Sequence, residues 1–199
     1  MDRGSTVSEL TTAKRGRNQQ AGNFQRLEPT IFIDLKKAFD TVDHSILLQK
    51  MSHYGIRNTA NLWFQNYLMG REQFVSVHGR DSERAEVKCG VPQGSILGPI
   101  LFLIFINDLP NATDFLTLLF ADDTTFQVSG QDLDQLFNYA NCEMEKSTAW
   151  FKANKLTLNV KKTKFMIFSD KNLDIGTNLL KIVLHKEFLT TKVYIRILS

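Results

Sequence analysis

The sequence predicts an α+β domain in which an antiparallel sheet is backed by helices on one face. Segments with strand-like and helix-like patterns alternate along the 199 residues, which indicates a mixed architecture. Two pairs of strand-like segments follow each other directly, residues 73–77 with 84–89 and residues 116–120 with 124–128. Strands joined by short turns form antiparallel hairpins, whereas a parallel sheet needs a crossover between every strand pair.

Strands are predicted from short runs of apolar and β-branched residues bounded by turn formers. The first, TIFIDL, is almost wholly apolar, as expected for a central strand, and is interrupted only by Asp34. A loop with three glycines and two prolines, GVPQGSILGP at residues 90–99, follows the first hairpin. The predicted strands cover residues 30–35, 73–77, 84–89, 116–120, 124–128, 156–160 and 164–169, with strand-like tails in KIVLH and KVYIRIL.

Helices are predicted where apolar residues recur at helical spacing between capping and ending residues. Asp43 and Asn58 stand where an N-cap side chain accepts from the following backbone N–H groups. Gly98-Pro99 favours the start of a third helix, because proline is tolerated in the first helical turn. The four helices are expected at residues 45–54, 58–69, 98–109 and 132–154.

The composition is that of an ordinary globular domain and excludes several classes of protein. Hydrophobic residues make up 43% and charged residues 23% of the chain. A formal net charge of +3 is compatible with nucleic-acid binding without being diagnostic. The cysteines, Cys89 and Cys142, and the four scattered histidines lack the spacing of a metal site. We find no signal-peptide pattern and no membrane-length apolar run, so an intracellular protein of the nucleus or cytoplasm, with no membrane partner, is expected.

Acidic residues interrupt two strand-like segments and allow two interpretations. Asp34 lies within TIFIDL, and Asp122 and Asp123 lie within LTLLFADDTTFQV. Adjacent aspartates are typical of a tight turn between strands. If the two segments are neighbours in the sheet, however, the acids meet, and a cation between them relieves their repulsion. Carboxylate oxygens suit Mg²⁺ or Mn²⁺, and two such ions can clamp an in-line phosphoryl transfer.

Four sequence strings, in order, resemble the motifs of a known enzyme family. FIDLKKAFDTVDH at residues 32–44 resembles motif A of the reverse transcriptases of LINE-like, non-LTR (jockey-type) retrotransposons. GVPQGSILGPILFLIFINDL at residues 90–109 resembles motif B, and FADD at 120–123 resembles motif C. LTLNVKKTKFMIF at residues 156–168 resembles motif D, and KEFLTTKVYI at 186–195 is weakly similar to motif E, the primer grip.

The resemblance implies a polymerase palm with a ferredoxin-like core that acts as an RNA-directed DNA polymerase. Its expected partners are an RNA template, a DNA primer and deoxynucleoside triphosphates. Two Mg²⁺ or Mn²⁺ ions are expected, held by Asp34, Asp122 and the carbonyl oxygen of Leu35. Asp123 matches the second acid of motif C, and both a catalytic role and a purely supporting role in the turn are open for it.

The resemblance also implies residues that contact the substrate. Phe39 matches the steric gate, an aromatic ring that lies where a ribose 2′-OH would project and so selects deoxynucleotides. Gln93 and Gly94 match the motif B residues beside the nascent base pair. Asp40 is expected to fix the local backbone rather than to touch substrate.

The motif D lysine is matched to Lys162, in the pattern Asn159-x-x-Lys162-Thr163. The implied role is that of a general acid that protonates or neutralises the leaving pyrophosphate. Lys161 and Lys164 are close enough in sequence that they remain alternatives.

The expected organisation follows from the extent of the match. Residues 1–29 are interpreted as a polar, poorly ordered remnant of the region before the palm, residues 30–170 as the palm, and residues 171–199 as a partial primer-grip-like tail, in which Thr190 replaces a usual glycine. Because fingers and thumb are largely missing from the match, activity of this chain alone is an open question. Alternatives are a non-catalytic remnant that binds nucleic acid or a protein partner, and another palm-type enzyme such as a nucleotide cyclase.

Overall fold

The computed structural model describes residues 26–169 and the backbone of three short strands after them. Within these residues the strands are β1 (Leu27–Ile33), β2 (Glu72–Gln73), β3 (Ser76–Val77), β4 (Arg80–Asp81), β5 (Ala85–Glu86), β6 (Leu116–Phe120), β7 (Asp123–Gln127), β8 (Lys164–Ser169), β9 (Val183–Leu184), β10 (Glu187–Phe188) and β11 (Ile195–Ile197). The helices are α1 (His44–His53), α2 (Asn58–Leu68), α3 (Leu97–Ile106) and α4 (Leu133–Ala153), with 3₁₀ turns at Ala38–Asp40 and Leu109–Asn111. Most of the predicted segment 1–29 and of the predicted tail 171–199 lies outside the described residues.

The main sheet has five strands in the order β11-β8-β1-β7-β6. β1 is antiparallel to β7 on one side and to β8 on the other, and β6 is antiparallel to β7. The short strand β11 joins the edge in parallel with β8. The predicted antiparallel sheet is therefore confirmed for β8, β1, β7 and β6, and the α+β class with it.

The helices cover one face of this sheet and leave the other face open. Ile31 and Ile33 of β1 and Phe126 of β7 are buried in one core with apolar residues of α1, α3 and α4. Residues at the alternate strand positions point to the opposite face, where Phe32 is 41% and Phe120 is 81% exposed. Because a one-residue slip would turn the buried set to the open face, this one-sided core fixes the register of the strands.

The apolar run at residues 97–106 forms α3, a buried helix as predicted. Leu101, Phe102, Phe105 and Ile106 are all fully buried in the shared core. In the described part of the chain, no helix combines the length and the apolar character needed to cross a membrane.

The predicted hairpin before the glycine-rich loop is confirmed and forms two short ladders. β2 pairs with β5, and β3 pairs with β4. Val77 pairs with Arg80 across His78-Gly79, whose φ angles of 51° and 75° are both positive, as in a type I′ turn. The predicted Asp43 cap is also confirmed, since its carboxylate accepts from the backbone N–H of Ile46 at 3.0 Å.

Two local predictions were wrong. Residues 156–160 do not form a strand, and Leu158 makes only an isolated bridge to Leu35, because both segments enter turns directly afterwards, at residues 36–37 and 160–162. Asn58 does not cap α2; it is the first residue of that helix, and no side chain caps the preceding Arg57 position. Asn58 instead adopts a φ of 52°, which asparagine tolerates better than most residues.

A buried carboxylate fastens α4 to the segment that enters β6. Glu143 is 2% exposed and accepts from Thr113 Oγ1 at 2.9 Å, from the backbone N–H of Asp114 at 2.7 Å and from Lys146 Nζ at 2.6 Å. Burial by itself raises the pKa of Glu143, but these three donors outweigh it, so the pKa lies below its ordinary 4.5. The hydrogen bond between Lys146 and Glu143 also raises the pKa of Lys146.

Replacing Glu143 by glutamine is expected to destabilise the fold at neutral pH by roughly 1–3 kcal/mol, because one donor then faces an N–H group. A carboxyl with a lowered pKa in the folded state stabilises the protein above pH 4.5, and that contribution is lost as the pH falls through the folded-state pKa. The difference in free energy of unfolding between wild type and Glu143→Gln should therefore shrink on acidification. Urea unfolding at several pH values measures it, with exposed Glu145→Gln as the control; a difference that stays constant with pH contradicts the assignment.

Candidate active site

Asp34 and the Asp122-Asp123 pair lie at the same end of two neighbouring strands. Ile33, the last residue of β1, pairs with Thr124 of β7, so Asp34 follows the strand rather than lying within it. Asp122 belongs to the two-residue turn between β6 and β7, and Asp123 is the first residue of β7. Because the paired residues end with Ile33 and Thr124, Asp34 and Asp123 are the next residue on each chain at this end of the two strands.

Alternation along the strands places these acids on the open face of the sheet. Phe32 of β1 is exposed, whereas the residues on either side of it are buried. Asp34 follows Phe32 by two residues, so it points to the same face as Phe32. Thr124 is 1% exposed on the covered face, so Asp123 points to the open one. Asp122 and Asp123 are exposed and Asp34 is half-buried. Asp34 and Asp123 thus lie on the open face, and Asp122 is exposed in the turn next to Asp123.

The backbone beside both acidic positions is strained. Lys37, three residues after Asp34, has a φ of 50°, and Ala121, directly before Asp122, has a φ of 53°. The left-handed conformation costs a non-glycine residue roughly 1–2 kcal/mol. Such strain persists only where the surrounding structure holds it, and it concentrates at functional sites.

The donor chemistry at this end of the sheet fits a hard divalent cation. No ion pair between described residues involves Asp34, Asp122 or Asp123, so their negative charges are not neutralised by a directly paired cationic side chain. The described residues contain no cluster of three or more His, Cys, Asp or Glu side chains that would hold a metal ion unaided. Magnesium needs only one or two carboxylates, because it keeps waters and substrate phosphates as further ligands.

One turn fastens both backbone polar groups of Asp34. The N–H of Asn159 donates to the Asp34 carbonyl at 2.8 Å, and the Asp34 N–H donates to Thr163 Oγ1 at 3.3 Å. Thr163 is 3% exposed, and its hydroxyl donates in turn to the Asn159 carbonyl at 3.0 Å. The Leu35 carbonyl takes no part in these bonds. Thr163 is a site residue that the sequence did not reveal, although it stands beside Lys162 in motif D.

The three candidate lysines lie at the end of the sheet where Asp34 and the Asp122-Asp123 pair lie. Lys162 lies in the turn directly before Thr163, and Lys161 precedes it; both are exposed. Lys164 begins β8 opposite Phe32, which places it on the open face. Among the described residues none of the three lysines forms an ion pair. The three candidate lysines thus lie at or directly before the start of β8, and the structure does not choose between them.

The segments matched to motifs A and B are joined at Phe39. The N–H of Val91 donates to the Phe39 carbonyl at 2.8 Å. The half-buried Phe39 ring packs against Phe102 of α3, with ring centroids 4.8 Å apart. These contacts fix the residue matched to the steric gate from both its backbone and its ring.

Gly90 joins the same two segments with all of its backbone polar groups. Its N–H donates to the Val42 carbonyl at 2.8 Å. Its carbonyl accepts from Arg71 Nη2 at 2.7 Å and lies 2.8 Å from Nε2 of the buried His44. Because a carbonyl only accepts, His44 Nε2 carries the proton.

Gln93 and Gly94 occupy an exposed turn between this junction and α3. Gln93 Nε2 donates to Asp40 Oδ1 at 2.6 Å, a contact that the sequence analysis did not foresee. Gly94 has a φ of +78°, and a Cβ there would meet no atom within 4 Å. Its backbone is therefore open to close approach by a ligand.

Asp43 adds a link between the motif A segment and the end of α4. Lys155 Nζ lies 2.6 Å from Asp43 Oδ2. Burial raises the pKa of Asp43, but the hydrogen bonds from Lys155 and the Ile46 N–H outweigh it and hold that pKa below its ordinary value. The ion pair links the residue after the C-cap of α4 to the N-cap of α1.

Comparison with known proteins decides the family. A sequence model of the family described as "Reverse transcriptase (RNA-dependent DNA polymerase)" matches residues 3–192. The chain belongs to this family. The resemblance of its motifs to reverse transcriptases is therefore confirmed, and the match includes the sheet strands β1, β6, β7 and β8.

Relatives of this reverse transcriptase domain come from non-LTR retrotransposons. It is 30% identical over 157 residues to the "Probable RNA-directed DNA polymerase from transposon BS" of Drosophila melanogaster, covering 72% of this chain and 17% of that protein. It is 28% identical over 145 residues to the "Retrovirus-related Pol polyprotein from type-1 retrotransposable element R2" of Popillia japonica, covering 66% of this chain and 23% of that protein. The chain spans about a sixth to a quarter of the length of these relatives.

Solved structures similar to this reverse transcriptase domain confirm the palm-type fold. An apo telomerase from Candida tropicalis matches with a TM-score of 0.54 at 15% identity, covering 90% of this chain and 38% of that one. A Candida albicans telomerase matches with a TM-score of 0.55 at 12% identity, covering 89% of this chain and 31% of that one. At such low identity the likeness concerns the fold.

Proposed function

We propose that this chain is the palm of an RNA-directed DNA polymerase, which adds deoxynucleotides to a primer 3′ end by two-metal phosphoryl transfer. The observation that supports the proposal is the register that pairs Ile33, the residue before Asp34, with Thr124, the residue after Asp123. The names of the relatives, which describe RNA-directed DNA polymerases, support an RNA template and a DNA primer as partners.

Asp34 and Asp122 are the carboxylates that hold the divalent ions, Mg²⁺ or Mn²⁺, with the Leu35 carbonyl and Asp123 as further oxygen donors. When bound, such ions make the primer hydroxyl a stronger nucleophile and neutralise charge on the leaving pyrophosphate. The protein contributes position. Because the turn at residues 159–163 holds both backbone polar groups of Asp34, the backbone that carries its carboxylate is fixed before substrate arrives.

Lys162 is proposed as the general acid that donates a proton to the departing pyrophosphate. Its place in the turn beside Thr163, which itself contacts Asp34, supports this role. Lys164 is the alternative, because it lies on the open face opposite Phe32.

The proposed function is tested by primer extension with the full chain. A DNA primer annealed to an RNA template is incubated with deoxynucleoside triphosphates and Mg²⁺ or Mn²⁺. Template-directed incorporation that stops on chelation of the metal is the expected result. Salt-sensitive RNA binding without any synthesis would instead favour a non-catalytic nucleic-acid-binding role.

Replacing Phe39 by valine is expected to let the chain incorporate ribonucleotides, because a smaller side chain leaves room for the 2′-OH. The ratio of kcat/KM for deoxynucleotides to that for ribonucleotides should fall by about tenfold or more, a loss of at least about 1.4 kcal/mol of discrimination. Phe102→Leu is the matched control, since it loosens the ring contact with Phe39 but leaves the aromatic ring of Phe39 in place. Unchanged sugar selectivity in Phe39→Val would remove the gate role.

A further inference from the structure

The Gln93 side-chain amide is held in one orientation by Asp40. Gln93 Nε2 donates to Asp40 Oδ1 at 2.6 Å, although the two residues are 53 positions apart in sequence. An ionised carboxylate accepts hydrogen bonds and donates none, so the reverse amide orientation would set two oxygens against each other. The Oε1 atom of Gln93 therefore faces away from Asp40.

In the described part of the chain, the Asp40 carboxylate has no other partner that would compete with its hydrogen bond to Gln93. Among the described residues it forms no ion pair, and the Asp40 N–H is already satisfied by the Lys37 carbonyl at 2.9 Å. Its neighbour Phe39 is held separately, by Phe102. Asp40 and Gln93 are both exposed, so a ligand can reach the amide that their hydrogen bond orients.

We propose that Asp40 is a positioning residue for the nucleotide. It turns Gln93 so that Oε1, an acceptor, faces the incoming deoxynucleoside triphosphate and receives a hydrogen bond from one of its O–H or N–H groups. A nucleotide group that can only accept hydrogen bonds is disfavoured next to Gln93 Oε1, because two acceptor atoms would then face each other. This inference rests on the proposed function and gives Asp40 a role beyond holding the local backbone.

The inference is tested by steady-state primer extension with the full chain, in which KM and kcat for the deoxynucleotide are measured separately. The variants compared with wild type are Asp40→Ala, Asp40→Asn, Gln93→Ala and the double alanine variant. Asp40→Ala should raise KM for the deoxynucleotide about fivefold to tenfold with kcat nearly unchanged, because the lost contact serves binding in both ground and transition states. Asparagine retains an acceptor oxygen, so Asp40→Asn should remain close to wild type. The double variant should be no worse than Gln93→Ala, since the two residues act as one unit.

A second measurement needs no turnover. In ¹⁵N-labelled protein, the Gln93 side-chain amide signals, assigned by their loss in Gln93→Ala, should differ from those of free glutamine and shift when a deoxynucleoside triphosphate and Mg²⁺ are added without primer. In Asp40→Ala they should resemble free glutamine and respond less. A purely structural role for Asp40 would lower thermal stability without changing this response.

The outcomes separate the two proposals. Additive effects of the two alanine substitutions, an Asp40→Asn variant as impaired as Asp40→Ala, or Gln93 amide signals unaffected by Asp40→Ala would overturn the positioning role. A wild-type chain with neither incorporation nor a nucleotide-induced shift would overturn the proposed function and the nucleotide role together. Wild-type incorporation with an unaffected Asp40→Ala variant would overturn this inference alone.

Discussion

Replacing Asp34 or Asp122 by asparagine is expected to lower deoxynucleotide incorporation by about a thousandfold or more. In the proposed mechanism each substitution removes a charged oxygen ligand of a divalent ion, and such an ion stabilises the transition state of phosphoryl transfer by several kcal/mol. A loss of about 4 kcal/mol corresponds to roughly three orders of magnitude in rate. Single-turnover primer extension over a range of Mg²⁺ and Mn²⁺ concentrations measures the effect.

The same substitutions are expected to leave the fold intact or to stabilise it. Asp34, Asp122 and Asp123 share one end of the sheet without a cationic partner among the described residues, so removing one charge relieves repulsion. Loss of activity with retained thermal stability is the pattern of a site that trades stability for function.

Two comparisons make the test sharper. Asp134→Asn removes the same charge from an exposed position in the first turn of α4, away from the strand ends, and should retain wild-type activity. Asp123→Asn is expected to cost less than Asp122→Asn, because Asp123 matches the second acid of motif C. Incorporation that survives the combined replacement of Asp34 and Asp122 would refute their assignment as metal ligands.

The parts of the fold that depend on local chemistry were predictable from sequence. Asp43 and Asp132 cap their helices through their own side chains, and β6 begins and ends where the apolar run predicted it. The ordered motifs also indicated the site. The sequence did not show which strands are neighbours in the sheet. Only the strand order, with β1 between β7 and β8, shows that Asp34 and Asp122 lie at the same end of the sheet.

The wrong and missing predictions have the same physical origin. The stretch LTLNV alternates as a strand does, but its pairing with the residues after β1 is limited to the Leu35–Leu158 bridge. Thr163 and Asp40 act through contacts to residues 129 and 53 positions away, and no local pattern encodes such contacts. Positive φ at Ala121 is likewise imposed by the turn, since alanine has no intrinsic preference for it.

Replacing Gly90 by alanine is expected to destabilise the fold by about 3 kcal/mol or more. Gly90 has a φ of +87°, and a Cβ built there would lie 2.7 Å from the Asp40 carbonyl oxygen and 2.9 Å from the Asp40 Cα. These are backbone atoms, which cannot rotate away as a flexible side chain can. Left-handed strain of roughly 1–2 kcal/mol therefore adds to an overpacking cost of about 1–3 kcal/mol.

Gly79 supplies the matched control. It has a similar φ of +75°, but a Cβ there would meet nothing within 4 Å, so Gly79→Ala carries only the conformational cost. In a chain of this size 1 kcal/mol shifts Tm by roughly 2–4 °C. Gly90→Ala should thus lower Tm by about 6–12 °C and Gly79→Ala by no more than about half of that.

The loss at Gly90 should also reach the active site. Because the Gly90 carbonyl accepts from Arg71 and lies 2.8 Å from His44 Nε2, and its N–H donates to Val42, moving this residue separates the segment that carries Gln93 from the segment that carries Asp40. Gly90→Ala should therefore lose incorporation at temperatures where it is still folded, whereas Gly79→Ala should keep it. Equal Tm shifts for the two variants would mean that the approach of Gly90 to Asp40 is not tight, and that the two motifs are held together by their side chains instead.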